Sequence, residues 1–100
     1  MSTWEVKTSK RLEKDAGNLP ADQQKIFAFF KKELRERGPV LPEWRNFKKL
    51  EGTKACYHCH LSSGKTTYVV VWTVLDKKRK VVEIRYVGTH EAVGNYRKRC

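Results

Sequence analysis

Apolar residues recur along this chain at two different periods, and those periods predict its elements. In Trp4-Glu5-Val6-Lys7-Thr8 they alternate with polar neighbours, which reads as a short first strand. Ser9 is placed to cap a helix carrying Leu12 and Ala16, and Gly17-Asn18 stops it. Pro20 suits the first turn of a longer helix over residues 20–37, where Ile26, Phe27, Phe30 and Leu34 recur at helical spacing beside Phe29. Lys31, Lys32, Arg35 and Arg37 fill its polar part and last turn, where the helix dipole favours cations, and Gly38-Pro39 ends it.

Residues 38–53 hold Pro39, Pro42 and Gly52, the composition of an irregular connection with Trp44, Phe47 and Leu50 tucked beneath it. The period then shortens. Residues 55–61 form one strand candidate, and Ser62-Ser63-Gly64-Lys65 turns it. Residues 67–75 are β-branched, aromatic and apolar on both faces, which marks a central strand. Asp76-Lys77-Lys78-Arg79-Lys80 turns the chain back into residues 81–87, with Val82, Ile84 and Tyr86 on one face and Glu83 and Arg85 on the other. A short tail with a turn of helix ends at Cys100. The order β-α-α-β-β-β predicts a single α+β domain over residues 1–100: a small antiparallel or mixed four-stranded sheet with two N-terminal helices packed on one face. Tyr57, Cys59 and Leu61 then face the helices, while His58 and His60 face outward onto an open surface. Phe27, Phe29, Phe30, Trp72 and Tyr86 are expected in the core.

Charge changes the picture next. The 100 residues carry 22 Lys+Arg against 11 Asp+Glu, a formal charge of +11, far more than solubility requires. A polyanion is the obvious partner, with nucleic acid first. The basic residues are dispersed, as expected of a charged surface, and Lys48, Lys49, Lys65, Lys77, Lys78, Arg79, Lys80 and Arg85 are the candidates for RNA contact. No apolar run approaches the ~20 residues of a membrane span, and no secretion signal opens the chain, so no membrane partner is expected and the cytoplasm is the expected compartment. Cys56 and Cys59 fall on opposite faces of one strand, which argues against a bond between them. Free thiols would fit a reducing compartment.

Two of the three histidines lie two residues apart, so in a strand their imidazoles emerge on one side roughly 7 Å apart. The third, His90, follows the last strand. Imidazole exchanges protons near neutrality, so the three are candidates for proton transfer or metal ligation, and they are expected to converge.

The Lys49-Leu50-Glu51-Gly52 step, then Cys56-Tyr57-His58-Cys59-His60-Leu61, a Ser-Ser-Gly hairpin, a strand ending in Asp76, and Val87-Gly88-Thr89-His90-Glu91 with Tyr96 beyond resemble the RelE/ParE superfamily of bacterial and archaeal toxins. Within it the chain looks more like the RelE-type messenger RNA endonucleases than the ParE-type gyrase poisons. The resemblance implies a metal-independent ribonuclease, without cofactor, that enters the ribosomal A site and cuts the messenger, held inactive by a cognate antitoxin. In that chemistry the ribose 2′-hydroxyl attacks the neighbouring phosphorus and leaves a 2′,3′-cyclic phosphate and a 5′-hydroxyl. By position, His60 matches the general base, His90 the general acid, His58 a neighbouring active-site position and Tyr96 a C-terminal tyrosine at the scissile site. Some relatives carry an arginine just after the hairpin to steady the phosphate; here the chain reads Lys65-Thr66-Thr67, leaving Lys65 or Arg85 as substitutes.

Three rival readings use the same residues. A gyrase inhibitor of the ParE type would leave the histidines without a chemical role. A plain RNA-binding module would use only the basic surface and the aromatics. His58 and His60 with His90 or Cys56 would offer three ligands to zinc, although no Asp or Glu in the strand supplies a supporting partner. Cys59 neighbours two histidines but points toward the core, where a thiol is inert.

Overall fold

The computed structural model describes residues 3–62 and 64–100. They form, in chain order, strand β1 (Glu5–Lys7), helices α1 (Lys10–Gly17) and α2 (Ala21–Arg37), strands β2 (Lys48–Lys49), β3 (Cys56–Ser62), β4 (Tyr68–Asp76) and β5 (Val81–Thr89), helix α3 (His90–Val93) and a 3-10 helix (Tyr96–Arg99). The turn expected at residues 62–65 includes Ser63, which lies outside the described residues. No helix is long and apolar enough to cross a membrane among the described residues.

Local chemistry sets the helices. Ser9 Oγ accepts from Leu12 N at 3.0 Å, closing the first turn of α1. Pro20 sits at the N-cap of α2. Gln24 Nε2 donates to the carbonyls of Gly17 and Leu19, tying the end of α1 to the start of α2. Gly38 ends α2 at φ 87, and a Cβ there would lie 2.7 Å from Trp4 Nε1, so glycine also makes room for the Trp4 ring.

The strands run in the order β1-β5-β4-β3-β2. β1 is parallel to β5 and every other pair is antiparallel, so the sheet is mixed and has a fifth strand. The addition is β2, in a segment whose sequence reads as irregular. Its two exposed lysines pair with His58 and Tyr57 and offer no alternation to detect. Both helices pack on one face, as expected, over a core of Phe27, Phe30, Leu34, Leu41, Cys59, Val70, Trp72, Val82, Ile84 and Val87. Burying each such side chain contributes about 1.5–3 kcal/mol. Phe29, expected in this core, is 56% exposed and leans on Trp44 instead. Phe27, Phe30 and Leu34 already fill the face of α2 turned to the sheet.

Between Val71↔Tyr86 and Trp72↔Ile84 the register shifts, leaving Arg85 as an extra residue in β5. Such a bulge reverses the alternation beyond it. Tyr86 therefore joins Val69, Val71 and Leu50 on the outward face, not Val82 and Ile84 as strict alternation predicts.

That outward face is not open along its length. Val93 is buried against it, Tyr96 and Cys100 pack on it, and Cys56 is joined to Cys100 by a disulfide. Cys56 and Cys59 are indeed not bonded to each other, but the expectation of free thiols holds for Cys59 alone. The tail after α3 returns across the face where alternation had already placed Cys56, and so delivers Cys100 to it.

Candidate active site

The outward face carries the three histidines. His58 and His60 project from β3 opposite Val71 and Val69 of β4, and Val69 in turn faces Gly88 of β5. Gly88 has a steric reason to be glycine, since a Cβ would lie 2.7 Å from Tyr86 Oη, which donates to the Thr89 carbonyl at 3.0 Å. Thr89 ends β5 and caps α3, its Oγ1 accepting from Ala92 N at 3.1 Å. His90 N donates to the Thr67 carbonyl at 2.8 Å, which pins the first residue of α3 beside the β3–β4 connection.

The rings consequently meet. His60 and His90 are 5.6 Å apart between centroids at 68°, His58 and His60 are 6.3 Å apart, and Tyr96 stacks on His58 at 4.2 Å while standing 6.2 Å from His90. All four residues singled out from sequence thus lie in one cluster. His60 is half-buried and His90 exposed, so the pair opens to solvent, whereas His58 is only 8% exposed.

Electrostatics act in the same direction on the two strand histidines. Burial first, then the neighbouring His90 and Arg45 charges, hold His60 below the ordinary imidazole range. It is therefore neutral at neutral pH, with a lone pair able to accept a proton. His58 is also lowered, first by burial and then by His60, Lys48 and His90. His58 Nδ1 and Tyr96 Oη are buried and find no hydrogen-bond partner among the described residues, the kind of unsatisfied pair that functional sites retain.

The basic candidates divide by position. Lys48 lies across from His58 on the edge strand β2, beside Lys49. Lys65 lines a pocket of about 300 Å³ together with Thr66, Thr67 and His90. Lys77, Lys78, Arg79 and Lys80 lie in the β4–β5 turn, beyond Asp76 at the far end of β4, roughly 20 Å along the strand from the His60 register. Arg85, in the bulge, pairs with Glu83 at 2.6 Å and lines a groove with Arg11 and Asp15.

One residue escaped the sequence reading. Arg45 accepts a backbone hydrogen bond from His60 N at 2.7 Å, and its charge is felt by the His60 ring. It sits in the irregular connection, where no period announces it; only the phosphate-steadying arginine missing after the hairpin gave reason to look for one. Metal ligation loses support. Cys56 is committed to its disulfide, and no group of three or more His, Cys, Asp or Glu side chains is placed to hold a metal ion among the described residues. Cys59 is fully buried, and burial pushes its thiol up to about 12, so it is inert as a nucleophile.

No protein-family model and no curated protein matches the chain. Among solved structures it is similar to the archaeal RelE–RelB complex from Pyrococcus horikoshii, with 31% identity and a TM-score of 0.71 over 87% of this chain and 94% of that one. It is also similar to the isolated E. coli RelE toxin, at 25% identity and a TM-score of 0.63 over 86% of this chain and 83% of the other. A mutant of E. coli RelE in the free state has a TM-score of 0.69 at 24% identity, over 90% of this chain and 86% of that one, a likeness of fold.

Proposed function

Because the chain belongs to the RelE toxin family, we propose that it is the toxin of a toxin–antitoxin pair and acts as an endoribonuclease on ribosome-bound messenger RNA. The observation that carries this reading is the meeting of the His60 and His90 rings, 5.6 Å apart, on a solvent-facing part of a cationic sheet. Neutral His60 takes the proton of the ribose 2′-hydroxyl as that oxygen attacks the adjacent phosphorus. His90, on the other side of the scissile phosphate, gives its proton to the departing 5′-oxygen. Lys65, which shares a pocket with His90, and Arg45, beside His60, supply positive charge to the phosphorane. His58 and Tyr96 form the wall on which the reacting nucleotide rests. The reading uses no metal ion and no cofactor.

Lys48, across from His58, extends the cationic surface along the edge of β3, where it would hold the messenger backbone, whereas Lys49, across from Tyr57, leaves the strand on the helix side. The distant turn Lys77-Lys78-Arg79-Lys80 is assigned to ribosomal RNA, since it lies too far from the histidines to touch the scissile bond. The P. horikoshii relative was solved as a RelE–RelB complex. A cognate antitoxin is accordingly proposed for this chain, and the +11 charge favours an acidic one.

The test is to map cleavage of a messenger in a ribosome-programmed extract, wild type beside His60→Ala and His90→Ala, with end-group analysis. Cuts ending in a 2′,3′-cyclic phosphate, lost in both variants, are expected. Intact messenger with wild-type protein overturns the proposal.

A further inference from the structure

Tyr96 lies on the 3-10 helix, an element in which no residue is buried. A four-residue turn of this kind has poor hydrogen-bond geometry and little of its own to hold it in place. It follows Gly94, at φ 66. The Arg99 guanidinium lies over the Tyr86 ring at 4.7 Å, but its hydrogen bonds end on the carbonyls of Ala92 and Val93, inside the same tail. Apart from the main chain leading out of β5 and α3, the Cys56–Cys100 bond is the covalent tie from the segment to the sheet among the described residues. Its sheet end is the first residue of β3, two positions before His58 and on the same face.

We infer that the Cys56–Cys100 bond is a positioning clamp: it holds Tyr96 against His58, so that the histidine–tyrosine cluster is complete only while the two sulfurs are joined. The inference deepens the nuclease reading and rests on it for its effect on activity. Without the bond, Tyr96 keeps its stack on His58, its edge contact with His90 and its packing on the Leu50, Val69, Val71 and Val93 group. These are side-chain contacts of a short element whose own hydrogen bonding is poor and which can therefore shift on the sheet. A dithiol reductant opens the clamp by exchange. Its thiolate attacks Cys100 Sγ, the half-buried sulfur, since Cys56 is 1% exposed. The protein S–S bond breaks, Cys56 leaves as a thiolate and is protonated, and the reductant's second thiol resolves the mixed disulfide. The protein gains two electrons and two protons as two thiols, and the reductant becomes a cyclic disulfide.

The experiment compares the full chain, oxidised and reduced with dithiothreitol, in two measurements. One follows the His58 ring by NMR through a pH titration. The groups facing that ring are Lys48 from β2, His60 from β3, His90 from α3 and Tyr96 from the 3-10 helix. Opening the clamp uncovers the ring, so its midpoint is expected to rise toward the ordinary imidazole value and the ring-stacking shift to disappear. The other measurement is messenger cleavage in the programmed extract, expected to fall about tenfold or more on reduction because the site loses a positioned wall. Cys100→Ser, which leaves the buried Cys56 in place, is expected to reproduce the reduced state without reductant. Tyr96→Ala is expected to be slow in both states, with no further loss on reduction.

An unchanged His58 titration on reduction overturns the clamp, as does a Tyr96→Ala variant that loses as much on reduction as the wild type does. If the midpoint moves while neither state cleaves messenger, the clamp stands and the nuclease reading falls.

Discussion

The two faces of the sheet are built from the same strands, β3, β4 and β5, yet they are finished by different means. On one, helix α1 lays Leu12 and helix α2 lays Phe27, Phe30 and Leu34 over Val70, Trp72 and Ile84, and even the Trp72 indole N–H finds an acceptor in the Pro39 carbonyl at 3.1 Å. On the other, a smaller apolar group of Leu50, Val69, Val71 and Val93 gives way to imidazoles beneath a short tail, where His58 Nδ1 and Tyr96 Oη find no hydrogen-bond partner among the described residues. Stability is concentrated on the helix face, so the opposite face can hold desolvated histidines at a local cost. Proteins commonly depart from good packing where chemistry is done.

The contrast is open to attack from either side. The largest effect is expected on the helix face, where Phe30→Ala should lower unfolding free energy by about 3–5 kcal/mol in urea melts. A small loss would mean that the two faces share the load. On the histidine face, His60→Ala should reduce messenger cleavage about 10²–10⁴-fold while changing stability by less than about 1 kcal/mol. A variant that unfolds would make His60 structural and erase the distinction.

Acid should sharpen the comparison next. His58 and His60 both lie below their ordinary value of 6.5 in the folded chain, so under that pH the unfolded chain binds protons that the native one refuses. Stability should therefore fall as pH drops through the window beneath 6.5, and thermal melts of a His58→Phe, His60→Ala double variant should show a shallower dependence. The smallest effect is expected for His58→Phe alone. It keeps a ring against Tyr96 and removes a buried unpaired nitrogen, so it should be neutral or stabilising by up to about 1 kcal/mol in the same urea melts.

The helix face was largely legible in the sequence because it is written in periods. The 3.6-residue recurrence of Phe27, Phe30 and Leu34, the cap at Ser9 and the two-sided apolar run of β4 each dictate a structure locally. The histidine cluster was legible in part. The i, i+2 spacing placed His58 and His60 on one side, while their meeting with His90 was an expectation that only tertiary structure bears out. What stayed hidden depends on register or on chain return. A single extra residue at Arg85 sends Tyr86 across the sheet, and a strand of two exposed lysines leaves no pattern. Arg45 reaches His60 from a loop, and Cys100 finds Cys56 because the tail folds back. None of these has a local signal, since each depends on residues far away in the sequence.

The parallel pairing of β1 with β5 carries a consequence for how the molecule comes into being. Lys7 lies beside Glu83, and among the described residues β1 pairs with β5 alone. During synthesis the two helices can form early from nearby contacts, but the seam between these strands waits until β5 has emerged, a long-range closure of the slow kind. His90 follows β5 directly. A nascent copy therefore holds no assembled histidine group until the residues through His90 have been made and β5 has closed on its neighbours.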